Sequence, residues 1–237
     1  MRIGAAAWAV AAGLAALAGE AAAAAVWEPI GLAGGGGMFS PACSPLEPNV
    51  LMLNCDMSAA YVSRDAGRTW QMIHHSQLRS CTSCSPAFDP KVRGRILAAN
   101  GWTGQVRVSN DYGLTWRPWG GKPAWRGRPV LLFIDPDDPR RVFVGSGDGM
   151  HVTADDGRSW RRCEGLSKPP LGLAADRTTP GGERGVWFVG TGEGVFRSGD
   201  GGRNFGPAAA PAAGKAVQSF AGGSDGKVTR LYATVPC

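Results

Sequence analysis

One pattern recurs four times along this chain, as "VSRDAGRTW", "VSNDYGLTW", "VTADDGRSW" and "FRSGDGGRNF". Its aspartates, Asp65, Asp111, Asp155 and Asp200, stand 44–46 residues apart. A unit of that length cannot bury its own apolar face. Such units have to stack on one another, and a period of about 45 residues suits one four-stranded blade of a β-propeller. Around each copy the same order repeats: a short apolar segment, a Pro/Asp-rich turn, a β-rich segment, a Gly-rich turn, a third strand, the pattern itself and a fourth strand. Short apolar runs bounded by Gly, Pro and Asp read as strands. The 36 glycines among 237 residues suit an all-β chain with many tight turns.

The spacing predicts a propeller domain over 26–237, with four-stranded antiparallel blades near 38–74, 84–119, 129–163 and 171–206 and a partial fifth over 216–237. Cys237 is reached before any third strand of that fifth blade. Near the other end, "VWEPIG" (Val26 to Gly31) resembles the fourth-strand stretch "TWRPWG" (Thr115 to Gly120), so it is expected to add a fourth strand to the last blade. The expectation is an incomplete ring, a segment of a longer product whose partner is the missing C-terminal portion. A degenerate five-bladed ring is the alternative. An open arc should expose strand edges and apolar blade faces.

Within the pattern, each residue type has a structural job. The Asp carboxylate accepts backbone N–H bonds of its own turn, the glycine takes positive φ, and the Trp packs between sheets. Asp65, Gly67 and Trp70, Asp111, Gly113 and Trp116, and Asp155, Gly157 and Trp160 fill these roles in three copies. The fourth keeps Asp200 and Gly202 but has Asn204 and Phe205 for the hydroxyl and the indole, which predicts a looser blade.

The first 25 residues follow another logic. Arg2 precedes an apolar run from Gly4 to Gly19, and small residues lead to an Ala-x-Ala-like cleavage site near Ala23 to Ala25. That is the form of a secretory signal peptide (1–25), too short for a membrane span. The expected address is secreted or periplasmic, with no membrane association after cleavage. The six cysteines, Cys43, Cys55, Cys81, Cys84, Cys163 and Cys237, then read as loop-stapling disulfides. A zinc site joining Cys81 and Cys84 to His74 and His75 is the alternative, though no metal or other cofactor is expected. The charge of +6 is scattered, with no basic helix or basic–aromatic run, and gives nucleic-acid binding no support.

The repeated pattern resembles the Asp box, or BNR repeat, Ser/Thr-x-Asp-x-Gly-x-Thr/Ser-Trp. Proteins that share it include sialidases, xyloglucanases, sortilin-like receptors and photosystem assembly factors. The stretch "GGGGMFSPACSPLEPNVLMLNCDMSAAYVSRDAG" further resembles the first blade of the family-74 glycoside hydrolases, the xyloglucanases. That resemblance puts Asp56 at one of two catalytic carboxylates of an inverting endo-β-glucanase and implies that it is the general base. Cys55 stands where that family has Thr, and Met57-Ser58-Ala59 replace a more glycine-rich stretch. The family's second carboxylate comes from a second propeller, so the resemblance implies an isolated chain that is inactive. An inverting pair must stand about 6.5–9.5 Å apart. A sialidase-like exo-glycosidase fits less well, since the chain lacks an Arg-Ile-Pro start and its three tyrosines include Tyr112 inside an Asp box.

Propeller topology selects the remaining candidates. Ligands sit over the axis, where second-to-third turns meet the inter-blade connections, and the Asp boxes face the other end. The turns carry Asp56, Trp102, Asp148 and Glu193; the connections carry His74, His75, Arg79 and Trp125, with Lys122, Arg126 and Arg128. Indoles make platforms for sugar rings, and carboxylates grip hydroxyls or move protons. The expected partner is a polysaccharide or other glycan of β-glucan or xyloglucan type. Asp148 and Glu193 also fit as turn caps, Trp102 as a channel cover and the histidines as a solvated pair. A non-catalytic propeller that binds protein or glycan is the competing class.

Overall fold

The computed structural model describes residues 36–178, 185–208 and 216–236. The expected signal peptide, the strand expected over 26–31 and Cys237 lie outside the described residues. Four four-stranded antiparallel sheets follow one another along the chain. Blade 1 holds β1 (Met38–Cys43), β2 (Leu51–Cys55), β3 (Ala60–Ser63) and β4 (Gln71–Met72). Blade 2 holds β5 (Ala87–Phe88), β6 (Ile96–Ala99), β7 (Val106–Ser109) and β8 (Arg117–Pro118). Blade 3 holds β9 (Pro129–Ile134), β10 (Val142–Ser146), β11 (Gly149–Thr153) and β12 (Arg161–Arg162). Blade 4 holds β13 (Pro170–Asp176), β14 (Val186–Thr191), β15 (Gly194–Ser198) and β16 (Gly206–Pro207). A two-stranded sheet, β17 (Ser219–Ser224) and β18 (Thr229–Thr234), ends the arc.

The first strands of successive blades touch one another, which puts them around the axis, with the short fourth strands outermost. The ring is not closed: β18 has no third strand beside it among the described residues. Met38 and Phe39 on β1 and Tyr232 on β18 are exposed at the two ends of the arc. No helix among the described residues is long and apolar enough to cross a membrane.

The cores lie between blades rather than within them, and this follows from period-2 alternation. On β6, Ile96 and Ala98 pack with Val50, Met52 and Val62 of blade 1, while Leu97 and Ala99 pack with Leu132, Val142 and Val144 of blade 3. On β10, Phe143 turns the other way and packs with Leu173 and Trp187 of blade 4. A middle strand is therefore apolar on both faces and reads as an unbroken hydrophobic run.

Each Asp box closes the hairpin between third and fourth strands in the same way. In blade 1, Thr69 donates its N–H and its hydroxyl to the two Asp65 oxygens at 2.8 and 2.6 Å, and Ser63 Oγ donates to Asp65 Oδ1 at 2.8 Å. The same Ser63 oxygen accepts the N–H of Gly67 at 2.8 Å. Blades 2 and 3 repeat the set on Asp111 and Asp155. Hydrogen bonds from the paired hydroxyls and amides hold the Asp65 and Asp155 carboxyls down at about 2. The fourth box is not looser. Asn204 Nδ2 replaces the hydroxyl and donates to Asp200 at 2.7 Å, and Phe205 is buried in the blade 3/4 core.

The box is also tied to the rest of its blade and to the blade before. The residue between Asp and Gly donates its N–H to the first-to-second turn: Ala66 to Asn49, Tyr112 to Gly94, Asp156 to Arg140 and Gly201 to Gly185, at 2.9–3.1 Å. Ala66, Tyr112 and Asp156 adopt φ of 59–61° to do so, a left-handed backbone that costs non-glycine residues strain. The box glycine then packs on the previous blade, with Gly113 against Val62, Gly157 against the Trp119 ring and Gly202 against the Phe143 ring. Two buried ion pairs brace the first-to-second turns, Arg95–Asp89 at 2.8 Å and Arg141–Asp135 at 3.1 Å. Removing one partner from such a pair costs about 3–5 kcal/mol.

The expected disulfides are not present among these residues: Cys43, Cys81, Cys84 and Cys163 carry free thiols. Cys81, Cys84 and Cys163 are core side chains, and burial pushes the Cys84 thiol well up and that of Cys163 to about 12.

Gly202 combines φ of +84° with contact on Phe143, whereas nothing lies within 4 Å of a Cβ at Gly192. Gly202→Ala should therefore destabilise by about 2–4 kcal/mol, left-handed strain plus overpacking. Gly192→Ala should leave the denaturant midpoint unchanged, and equal midpoints for the two variants would refute this packing. A second expectation concerns pH. Because Asp65, Asp155 and Asp200 are depressed to about 2 in the fold, their stabilisation is complete above an unfolded pKa of about 3.9 and is lost as pH falls through 2. Melting curves should show Tm falling from pH 4 to pH 2, with a shallower fall in Asp65→Asn.

Candidate functional site

Antiparallel order within each blade places second-to-third turns and inter-blade connections at one end and Asp boxes at the other. Side-chain contacts show how that first end is built, because each connection reaches the turn of the blade that follows. The Arg79 guanidinium, in the connection from blade 1 to blade 2, lies 3.8 Å over the Trp102 ring in the turn of blade 2. The Arg126 N–H, in the next connection, donates to Asp148 Oδ2 of blade 3 at 3.0 Å. The Ser167 hydroxyl donates to Glu193 of blade 4. In blade 1 the chain ahead of β1 plays the same part, with Gly37 N–H donating to Asp56 Oδ1 at 2.9 Å.

The four turns are thus equivalent places with unequal chemistry. Trp102 is 73% exposed, and its backbone is held by Asn100, whose side-chain oxygen accepts the N–H groups of Trp102 and Thr103 at 3.1 Å. Gly101 permits this turn, since a Cβ there would run into the Ser80 carbonyl. An indole carried on a fixed turn and stacked on a guanidinium is pre-organised for a ring-shaped ligand, because little side-chain entropy remains to be lost on binding.

The carboxylates divide. Both Asp148 oxygens are engaged, Oδ2 by Arg126 and Oδ1 by the Ser146 hydroxyl. These bonds, with the nearby His151 imidazole, pull its pKa below the usual carboxylate range despite partial burial. An acid held ionised and saturated caps a turn and gives up no proton. Glu193 accepts the Ser167 hydroxyl on one oxygen and is exposed. Asp56 is exposed, and Gly37 N–H and the Cys55 thiol, 3.9 Å away, both meet its Oδ1. A Cβ at Gly36 would collide with this carboxylate, so the glycine-rich lead into β1 is shaped to cradle it.

Trp125 does not share the surface with Trp102. It is buried between blades, donates Nε1–H to the Gly104 carbonyl at 3.0 Å and meets Trp160 edge-on at 5.0 Å. It offers no face to a sugar and acts as a core side chain. His74 and His75 are an exposed pair with ring centroids 4.4 Å apart, while Cys81 and Cys84 are buried, so the four do not gather as a zinc set. Among the described residues no cluster of three or more metal-ligating side chains occurs. Sequence reasoning missed His151, a buried imidazole behind Asp148 whose Nδ1 has no hydrogen-bond partner. Burial lowers its pKa. A single His inside an apolar strand carries no signal that would have found it.

Residues 61–72 match the family model described as the BNR/Asp-box repeat. The chain carries the Asp-box repeat on a propeller-type fold. Xyloglucanase Xgh74A of Acetivibrio thermocellus is 26% identical over 220 residues, covering 74% of this chain and 26% of the relative. The chain thus spans about a quarter of that enzyme's length. Among solved structures, YCF48 from Cyanidioschyzon merolae superposes with a TM-score of 0.60 at 16% identity, over 89% of this chain and 67% of the other. An ancestral GH74 enzyme superposes with a TM-score of 0.62 at 15% identity, over 82% and 28%. The chain is thus similar to a xyloglucanase in sequence and to propellers in fold.

The latch at Asp148 has a direct test. Asp148→Ala removes a charged acceptor from the Arg126 amide, a bond worth about 1.5 kcal/mol or more. Amide exchange at Arg126 should quicken about 10-fold or more while exchange in β6 and β10 is unchanged. No change at Arg126 would return Asp148 to the pool of ligand-facing acids.

Proposed function

We propose that this chain is the polysaccharide-binding arc of an exported, glycoside hydrolase-like propeller. A β-glucan or xyloglucan chain lies across the second-to-third turns, with a pyranose ring on Trp102 and the Arg79-backed indole as its platform. The observation that carries this reading is the Trp102–Arg79 pair: a large aromatic face, exposed, held from behind, at the end of the fold where the connections converge. The similarity to a xyloglucanase by sequence supports the substrate class.

Asp56 is the candidate general base in this reading. Its Oδ2 is the oxygen not taken by Gly37, and a base needs one free oxygen to draw a proton from water. A second acid is required for inverting hydrolysis; within this arc Asp148 has both oxygens engaged, and Glu193, two blades further along the chain's order than the turn of Trp102, is held by Ser167 through one oxygen. In this reading the arc by itself binds without cleaving, and hydrolysis draws its second carboxylate from beyond it. The full engagement of Asp148 is also what favours the second reading, a purely non-catalytic binding propeller.

Titration of the purified chain with a xyloglucan heptasaccharide, followed by calorimetry, separates these readings. Binding should occur without release of reducing ends, and Trp102→Ala should weaken it about 10-fold. Asp56→Asn should retain binding, and should abolish hydrolysis wherever a longer form of the protein cleaves. Affinity indifferent to Trp102→Ala, or no affinity for any neutral polysaccharide, would remove the platform from the proposal.

A further inference from the structure

The Asp-box end holds a second feature, independent of the Trp102 surface. There, the residue between Asp and Gly of each box plugs the gap to the preceding blade. In blade 2 it is Tyr112, whose ring packs against the blade 1/2 core and whose hydroxyl reaches Glu47 at 3.4 Å. In blade 3 it is Asp156, whose carboxylate receives the Arg95 guanidinium and the Trp119 indole N–H. In blade 4 it is Gly201, which has no side chain, and a cleft of about 310 Å³ opens between blades 3 and 4.

Arg140, Arg141, Arg161 and Arg203 line that cleft, with half-buried Trp160 on its wall. Arg141 is the counterpart of Arg95 one blade on. Both hold a buried aspartate of their own turn, Asp135 and Asp89 respectively, but only Arg95 has a second carboxylate, Asp156. Arg140 is paired with Asp138, itself on the rim. Arg161 and Arg203 make no ion pair among the described residues. Arg203 is fixed in place through its backbone, its N–H on Asp200 Oδ1 at 3.0 Å and its carbonyl on Glu164 N–H at 2.8 Å. The cleft has the cationic donors of its neighbouring gap and lacks the carboxylate that fills that gap.

We infer that the blade 3/4 cleft binds the carboxylate of an acidic sugar, a hexuronate unit of a polysaccharide, in the place that Asp156 occupies one gap earlier. Guanidinium groups recognise carboxylates with paired, charge-assisted hydrogen bonds, and Arg161 and Arg203 are unspent donors. Trp160 supplies the apolar surface that a pyranose ring packs on and an isolated carboxylate does not need. The volume lies at the low end for a small-ligand cleft and suits one or two sugar residues. The internal precedent also specifies how to close the site. Asp156 adopts φ of 61° at the position equivalent to Gly201, so an aspartate fits that backbone.

The test is calorimetric titration of the full chain with trigalacturonate at low ionic strength. Wild type should bind, and affinity should fall steeply as salt is added. Arg161→Ala and Arg203→Ala should each weaken binding about 10-fold or more. Gly201→Asp should abolish it while Tm is maintained or raised, because the new carboxylate occupies the cleft from within. Arg158→Ala, at the position of Arg203 in the preceding box and outside the cleft, should bind as wild type. Failure of the wild type to bind trigalacturonate, wild-type affinity in either arginine variant, or tighter binding of a triglutamate peptide would each overturn the assignment. Should Gly201→Asp not fold, the two arginine variants decide the question.

Discussion

The interaction on which the rest depends is the carboxylate at the centre of each Asp box. One aspartate takes a backbone amide and a side-chain donor from the residue four positions on and a hydroxyl from the residue two positions back, so the turn is closed by its own side chains. That closure fixes the backbone of the next two residues in the left-handed region. The first of them hands its N–H to the turn at the same end of the blade, and the second, always glycine, packs in blades 2 to 4 against the blade before. Hairpin, blade and blade-to-blade packing are therefore one unit of construction. Larger residues at the glycine would hold two sheets apart, which is why the repeat period and the box travel together.

The two ends of the arc are consequently built on different terms. At the box end, backbone and carboxylates satisfy one another and the gaps are plugged by whatever stands between Asp and Gly, ring, carboxylate or nothing. At the other end, the chain passing from blade to blade is latched to the following turn by a contact that differs each time: a cation over an indole, or an amide or hydroxyl on a carboxylate. Asp148 looks available in the sequence and is used up in this way, with both of its oxygens engaged. Trp102 and the carboxylates of Asp56 and Glu193 stay open to solvent.

Much of this was legible in the residues. Four boxes at even spacing fix four blades, and antiparallel order then assigns each loop to an end with no further information. The pairing of Arg79 with Trp102 lay outside that logic, because a connection's path depends on packing rather than period. Trp125 looked like a second platform because a Trp in a Gly/Pro-rich loop reads as exposed; its loop folds inward and its indole finds the Gly104 carbonyl. The disulfide reading of Cys43, Cys81, Cys84 and Cys163 misled for a similar reason, since Cys81, Cys84 and Cys163 are core thiols, a placement that spacing cannot reveal. Asn204 and Phe205 looked like a defect in the fourth box, yet an amide donates as a hydroxyl does and a smaller ring is buried more deeply. The gap left by Gly201 was unreadable alone and became meaningful only beside Asp156 and Tyr112.

The most direct test is NMR mapping of a neutral xyloglucan oligosaccharide on the labelled chain. The perturbed resonances should centre on the Trp102 indole N–H, with the amides of 56–58 and 79–80 beside it and the Asp-box amides of Thr69, Thr115 and Ser159 unmoved. Shifts confined to the box end, or a Trp102 signal that ignores the sugar at saturation, would contradict the assignment of the binding surface.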